Sequence, residues 1–323
     1  MPQTSHSNPA NLLLIVGDST AHLGLFNDLK GHSRIDIVRH PNHISVPRKV
    51  ASRLSELLTL RYNVWGQRAY RKYETIVILD TALARIDKRG LDWLRSRANS
   101  VKLILLNSIA AASPTFDMVR KKLEWFSESD IYTFDSTEAA KYNYVDYGLS
   151  YYSGQPHAQL ARFEGDAYFV GGIKGGRGEL VMSTFQHLKK NGVRVRFDCA
   201  TPKNTRAVSH APSEITWHTS GWIPYETVLE RSNQARCLIE ILQHGQSAQS
   251  LRYFEAVQMN KLLLTNNAGI TELPFYDPKY MRLFNVPEDI DLEWLTTGEL
   301  PNYGLKDEFS PKRNPLFSGF LDG

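Results

Sequence analysis

Residues 235–267 read ARCLIEILQHGQSAQSLRYFEAVQMNKLLLTNN, and this stretch decides the fold. It begins with the strand-length apolar run 235–242, passes through a polar loop, continues as a helix-length segment and ends with the apolar run 261–267. Two parallel strands need a crossover connection, and a helix is the usual one. The stretch therefore predicts a βαβ unit of a parallel sheet.

Similar apolar runs recur on both sides of this unit. Beyond residue 166 they are AYFVGG (167–172), VRVRFDCA (193–200), EITWH (214–218) and MRLFNV (281–286). In the first half they are LLLIVG (12–17), RIDIVR (34–39), TIVILD (75–80), VKLILLN (101–107) and DIYTFD (130–135), with helical spacing at 47–60 and 87–99. These two alternating series predict an α/β fold with two Rossmann-like doubly wound parallel-sheet domains facing a cleft.

The length of 323 residues fits two domains of ordinary size. Gly, Pro and polar residues replace periodic apolar spacing at 149–165, which we interpret as the linker. We expect a disordered leader at 1–10, an N-terminal Rossmann-like domain at 11–148 and a C-terminal one at 166–288. The segment 289–323 contains one helix-like piece, and we expect this helix and the tail to pack back on the N-terminal domain.

The composition is that of a globular protein, with 42% hydrophobic and 22% charged residues. A net charge of +4 is too small for a nucleic-acid binder, so no nucleic-acid partner is expected. Cys199 and Cys237 fall in apolar runs, which predicts buried free thiols in a reducing compartment. The N-terminus does not resemble a secretory signal, and no apolar run approaches the roughly 20 residues that span a bilayer. We expect a cytoplasmic protein, with any membrane contact peripheral and at the inner face of the cytoplasmic membrane.

A glycine-rich loop follows the run AYFVGG and contains Gly172, Lys174 and Arg177. In doubly wound sheets, ligands bind beyond the carboxyl ends of the strands, where glycine permits close approach and cations hold phosphate. The loop is a candidate diphosphate site. Its alternative role is a strand-to-helix turn whose cations face solvent. Neither a Walker loop nor a first-strand GxGxxG fingerprint is present, which disfavours kinase-like ATP use and ordinary NAD binding.

A second candidate site lies at the end of the run 235–242, with Glu240 inside the run and Gln243 directly after it. Ser250 is a predicted N-cap that leaves backbone donors of the next helix available to an anion. Glu255 lies one turn into that helix, where a carboxylate can accept both hydroxyls of a ribose. The alternative for Glu255 is a solvent-facing or helix-capping acid.

This segment resembles the donor-site signature of bacterial capsule, lipopolysaccharide and exopolysaccharide glycosyltransferases of the GT-B class. The residues that carry the resemblance are Glu240, Gln243, Gly245, Gln246, Ser247, Leu251, Arg252, Glu255, Ala256, Asn260 and Lys261. Further matches are IYTFDSTEAAKYN (131–143), FVGGIKGGRGEL (169–180) and PFYDPKYMRLF (274–284), so the resemblance covers most of the chain beyond about residue 130. Ala248 and Ser250 stand where relatives more often carry Gly and Thr.

The resemblance implies a hexosyltransferase-like enzyme that binds a nucleoside diphosphate sugar in its second domain and a glycan or lipid-linked acceptor in its first. It implies that Glu255 holds the ribose. It also implies a diphosphate and sugar subsite drawn from Gly172, Lys174, Arg177, Glu240, Gln243, Gly245, Gln246, Ser247, Ser250, Leu251 and Arg252. Arg252 has the alternative role of an internal partner for Glu255 or Glu240.

Sugar transfer with inversion needs a base for the acceptor hydroxyl, and the loop after the first strand offers Asp18 and His22. Asp18 has the alternative role of a turn or N-cap acid, and a retaining reaction needs no such base. Asp80 and Asp198 are interpreted as strand-end acids, so we expect a reaction without metal or cofactor. The alternative functions are another two-domain nucleotide-sugar enzyme, such as an epimerase or oxidoreductase, and a two-lobed ligand-binding protein.

Overall fold

The computed structural model of the chain describes residues 11–17, 24–40, 60, 72–107, 109, 114–148, 164–173, 176–200, 214–218, 223–243, 250–304 and 310–321. These residues form two compact units. The first unit combines 11–148 with 310–321, and the second is 164–304. Each unit is built on its own six-stranded sheet, in which all paired strands are parallel. The predicted α/β class with two Rossmann-like sheets is confirmed.

The first sheet has the order β2-β1-β3-β4-β5-β6. Its strands are β1 (Leu12–Val16), β2 (Ile35–Arg39), β3 (Tyr73–Leu79), β4 (Ala98–Leu105), β5 (Ile131–Thr133) and β6 (Val145–Asp146). The helices of this unit include α1 (Asp80–Leu83), α2 (Lys88–Arg95), α3 (Pro114–Arg120) and α4 (Ser136–Tyr142). Every residue of β1 is buried, because the strand lies inside the sheet and is covered on both faces.

The second sheet has the order β12-β11-β10-β7-β8-β9. Its strands are β7 (Gly165–Gly172), β8 (Val195–Ala200), β9 (Ile215–His218), β10 (Ala235–Glu240), β11 (Leu262–Thr265) and β12 (Met281–Leu283). Its helices include α5 (Gly178–Lys190), α6 (Tyr225–Gln234), α7 (Leu251–Gln258) and α8 (Leu292–Thr297). The direction of winding reverses between the adjacent strands β7 and β10. This is the strand order of the dinucleotide-binding Rossmann fold, and ligands of such sheets bind at that reversal.

The two faces of the second sheet differ in chemistry. One face, here called the apolar face, packs against α5 and α8 through a buried hydrophobic cluster that includes Phe169, Phe185, Phe197, Cys199, Cys237, Ile239, Leu264 and Trp294. The opposite face, here called the polar face, carries Tyr168 and Asp198 and is covered by α6 and α7. Both cysteines are buried free thiols, as predicted, and burial raises the pKa of Cys199 to about 12.

The segment 289–323 divides between the units, which differs from the prediction that it packs on the first domain alone. Trp294 and Leu295 of α8 join the apolar cluster of the second unit, because this helix follows β12 directly and has that sheet within reach. Residues 310–321 belong to the first unit, where Ser310 Oγ donates to Asp28 Oδ2 at 2.7 Å and Phe317 contacts Phe26 edge-on. This tail includes the short helix α9 (Pro315–Ser318).

Element boundaries show three further differences from the sequence predictions. The helix expected at 87–99 ends at Arg95, because residues 98–105 already belong to β4. The two-residue strand β6 was not predicted, and β7 begins at Gly165, inside the interval expected to be linker. The leader at 1–10, most of the helix at 47–60 and residues 149–163 of the linker lie outside the described residues. No helix within the described ranges is both long and apolar enough to span a bilayer.

Candidate functional site

Arg177 connects the ends of β7 and β10, the two strands between which the winding of the second sheet reverses. Its Nε donates to the carbonyl of Gly172 at the end of β7 (2.6 Å), and its Nη1 donates to the carbonyl of Ile241 just after β10 (2.7 Å). A side chain at Gly171 would meet Arg177 Nη2 at 2.7 Å, so glycine makes room for this guanidinium. Gly176 has φ +81°, which gives the turn before α5 a left-handed residue. Arg177 thus connects two strand ends, and its contact with a diphosphate stays a prediction.

Glu240 fixes the start of α7 at the same edge of the sheet. The side chain is almost fully buried, and its carboxylate accepts from the backbone N–H of Ser250 (3.1 Å) and from the hydroxyl of Thr265. Ser250 is the N-cap of α7, as predicted, and its hydroxyl accepts from the backbone N–H of Arg252 at 3.1 Å. Glu240 therefore joins β10, β11 and α7. Leu251 opens the helix, and Gln243 lies half-buried three residues beyond β10.

Glu255 is fully buried on the polar face and is held by two helices. Within α7, Arg252 Nη2 donates to Oε1 and Arg252 Nη1 forms an ion pair with Oε2. From α6, the hydroxyl of Tyr225 donates to Oε1 at 2.9 Å, and Ser232 Oγ accepts from Arg252 Nη1 at 3.3 Å. The alternative of a solvent-facing acid is therefore wrong, and the alternative of Arg252 as an internal partner of Glu255 is confirmed.

The electrostatic setting of Glu255 is that of a carboxyl group near its titration point at neutral pH. Burial raises the pKa of Glu255 to about 7, against the lowering effects of the Arg252 charge and of hydrogen bonds from Tyr225 and Arg252. Oε2 meets the guanidinium without accepting a well-aligned hydrogen bond. Since a carboxylate offers about four acceptor positions, Oε2 retains capacity for a further donor, such as a ligand hydroxyl.

A second buried carboxylate, Asp198 of β8, organises the other half of the polar face. It is fully buried and accepts from Tyr168 OH (2.8 Å) and Arg231 Nη1 (2.6 Å), and it lies 3.0 Å from Nε2 of His218. Burial acts to raise the pKa of Asp198, but the hydrogen bonds from His218, Tyr168 and Arg231 outweigh it and hold the pKa below its usual value. The prediction of a simple strand-end acid missed this cluster.

Several predicted site residues lie outside the described residues: Asp18, His22, Lys174, Gly245, Gln246 and Ser247. Asp80, interpreted as a strand-end acid, follows β3 and accepts from the backbone N–H groups of Thr81 (2.6 Å) and Leu106 (3.0 Å). Across the part of the chain that the structure describes, no group of three or more His, Cys, Asp or Glu side chains is placed to hold a metal ion.

Comparisons with known proteins give matches at the level of solved structures alone. No family model matches the chain, and no curated protein matches it. The glycosyltransferase of kitacinnamycin is 12% identical, with a TM-score of 0.42, and covers 97% of this chain and 93% of its own. The lipopolysaccharide outer core galactosyltransferase WaaB is 9% identical, with a TM-score of 0.43 and coverage of 96% and 97%. A T4 phage BGT mutant in complex with UDP-glucose is 11% identical, with a TM-score of 0.45 and coverage of 84% and 85%. The function proposed below rests on this chain's own residues.

Proposed function

We propose that this chain is a glycosyltransferase that moves a sugar from a nucleoside diphosphate sugar to a glycan or lipid-linked acceptor in bacterial surface polysaccharide synthesis. The observation that carries the proposal is the placement of Glu255 behind the N-terminus of α7, directly beyond β10 at the reversal point of a Rossmann-ordered sheet. Such a position combines the positive end of a helix, which attracts an anion, with a carboxylate for sugar hydroxyls.

The donor site has two parts in this proposal. The ribose hydroxyls donate to Glu255, whose Oε2 retains acceptor capacity. Because Glu255 is fully covered by neighbouring side chains, the ribose reaches it only after some of them shift. The diphosphate lies at the start of α7 with Lys174 as its cation, since the Nε and Nη1 groups of Arg177 already bind carbonyl oxygens. Gln246, Ser247 and Ser250 contact phosphate or sugar.

The reaction breaks the bond between the anomeric carbon and the diphosphate oxygen and forms a bond from that carbon to an acceptor hydroxyl oxygen. The negative charge that develops on the leaving diphosphate is stabilised by the helix N-terminus and by cations, which needs no metal ion. For an inverting reaction, Asp18 is the candidate base that takes the acceptor proton, and His22 is the second candidate. The acceptor docks on the first unit.

A ligand screen tests this function against its alternatives. The full chain is mixed in turn with UDP, GDP, CDP, ADP, dTDP and NAD, and the shift of its melting temperature is recorded. We expect one or more nucleoside diphosphates to raise the melting temperature and NAD to leave it unchanged. The matching nucleoside diphosphate sugar should then be hydrolysed slowly in the absence of acceptor. A shift with NAD alone, or with none of the six ligands, would reject the glycosyltransferase.

A further inference from the structure

Arg252 and Glu255 stand three residues apart on α7, so their side chains share one side of the helix. The two guanidinium Nη atoms face the two carboxylate oxygens, one on each. One hydrogen bond to Oε1 and one ion-pair contact to Oε2 hold both carboxylate oxygens against the guanidinium. Arg252 is itself 8% exposed, so solvent does little to weaken the pair.

The pair is also fixed from outside its own helix. Ser232 Oγ of α6 accepts from Arg252 Nη1, and Tyr225 OH of α6 donates to Glu255 Oε1. Arg252 from α7 and Tyr225 from α6 are the titratable groups whose charge or hydrogen bond lowers the pKa of Glu255 against the effect of burial. Tyr168 of β7 lies within electrostatic range of the Arg252 charge. Arg252 is the cation whose charge opposes the effect of burial on Glu255.

Building on the nucleoside diphosphate site proposed above, we propose that Arg252 is a positioning residue for nucleotide binding. It contacts Glu255 instead of the ligand, and its charge keeps more of the Glu255 carboxylate ionised, which is the form that accepts hydrogen bonds from ribose hydroxyls. The sequence resemblance placed Arg252 among the ligand contacts, whereas its two Nη groups are committed to Glu255 and Ser232.

The ionisation state of Glu255 decides whether it can serve as a double acceptor. Burial raises the pKa of Glu255, and the Arg252 charge acts against that rise. Removing the cation leaves burial opposed only by the Tyr225 hydrogen bond, and the pKa rises further. A protonated carboxyl presents one donor in place of an acceptor, so it binds two ribose hydroxyls less well.

The test compares the pH dependence of nucleotide affinity in four proteins. The tightest binder among UDP, GDP, CDP, ADP and dTDP is titrated by calorimetry from about pH 6 to about pH 9. The proteins are the wild type, Arg252→Gln, Arg252→Lys and the control Arg282→Gln, which removes an exposed arginine paired with Asp291 in the same unit. If the ionised fraction of Glu255 falls from about one half to about one tenth, the Kd of Arg252→Gln at pH 7 rises roughly fivefold.

We expect the ratio of the Kd of Arg252→Gln to that of the wild type to fall as pH rises. The Kd of Arg252→Gln should approach the wild-type value by about pH 9, where Glu255 ionises in both proteins. Arg252→Lys retains a charge without the bidentate fork and should lie between the two. Arg282→Gln should follow the wild type throughout. An Arg252→Gln curve that is displaced by the same factor at every pH, or not displaced, would overturn the proposal.

Two further measurements keep the outcomes distinct. Thermal unfolding of each variant checks that it is folded, and Tyr225→Phe, which removes one hydrogen bond and no charge, should shift the profile in the same direction by less. Failure of every nucleoside diphosphate to bind the wild type would reject the proposed function and this inference together. Tight binding with parallel pH profiles would reject only the role of Arg252.

Discussion

The apolar and polar faces of the second sheet are built from alternate residues of the same strands, but the polar face also buries carboxylates and their hydrogen-bond donors. In β8, Phe197 points into the aromatic cluster with Phe169 and Phe185, and its neighbour Asp198 points toward Arg231 and Tyr168. The apolar face gains its stability from area removed from water. The polar face contains buried charges, which add little net stability even when paired.

The apolar face supplies most of the stability of this domain, whereas the polar face supplies the groups that can bind a ligand. The carboxylates of Asp198, Glu240 and Glu255 are buried together with hydrogen-bond donors from α6, α7 and β11. Placing such groups beneath two helices that start at the carboxyl edge puts polar partners close to where a ligand of this fold binds. Substitutions on the apolar face should therefore affect stability, and those near Glu255 should affect binding.

The largest effect is expected for Phe197→Ala. The ring is fully buried and lies 5.2 Å from the ring centroids of both Phe169 and Phe185. Its loss should lower the free energy of unfolding by about 3–5 kcal/mol through lost burial and a cavity. Urea denaturation measures this change, and Phe197→Leu should lose less. A Phe197→Ala protein that keeps its stability would contradict the claim that the apolar face stabilises the domain. A Phe197→Ala protein that stays folded but loses nucleotide affinity would contradict the claim that only the polar face determines binding.

A smaller loss, about 3 kcal/mol at pH 7, is expected for Asp198→Asn because Arg231 is left without its buried partner. The pKa of Asp198 lies below its usual value, so the stability it contributes is present above the ordinary aspartate pKa and lost as pH falls through the folded-state pKa. The deficit should therefore shrink in strong acid, as measured by denaturation at several pH values. Asp166→Asn, whose partner Arg194 is half exposed, should cost about 1 kcal/mol or less. Equal losses in the two variants would contradict the account.

A smaller change than that of Asp198→Asn is expected in the part of the unfolding free energy that depends on the titration of Glu255. Its pKa is raised by burial to about 7, so the fold favours the protonated form, and this contribution is lost as pH rises through about 7. Between pH 5 and pH 8 the wild type should lose on the order of 2 kcal/mol of unfolding free energy through this group, and Glu255→Gln should not. The unfolding free energy of the wild type minus that of Glu255→Gln should therefore fall as pH rises. If this difference rises between pH 5 and pH 8 instead, Glu255 is charged in the folded protein well below pH 7.

Much of this architecture could be predicted from the sequence, because strand-length apolar runs and the helices between them depend on local patterns. Contacts between distant residues could not. Arg177 and Ile241 are 64 positions apart in the chain and meet through the strand order of the sheet, so local sequence patterns did not predict their contact. The alternation in VRVRFDCA did contain a signal for the polar face, since period-two charge in a strand indicates two unlike faces. Helix α8 was assigned to the wrong unit because its apolar residues do not specify which core they join.

The central claim is that the polar face presents Glu255 to a nucleoside diphosphate, and one affinity measurement tests it most directly. The Kd of the best-binding nucleoside diphosphate is measured by calorimetry at pH 8, where Glu255 is mostly ionised, for the wild type, Glu255→Gln and Arg282→Gln. Loss of hydrogen bonds to a charged acceptor predicts a Kd raised at least about tenfold in Glu255→Gln, with Arg282→Gln unchanged. A folded Glu255→Gln protein that binds the nucleotide as tightly as the wild type would contradict the claim.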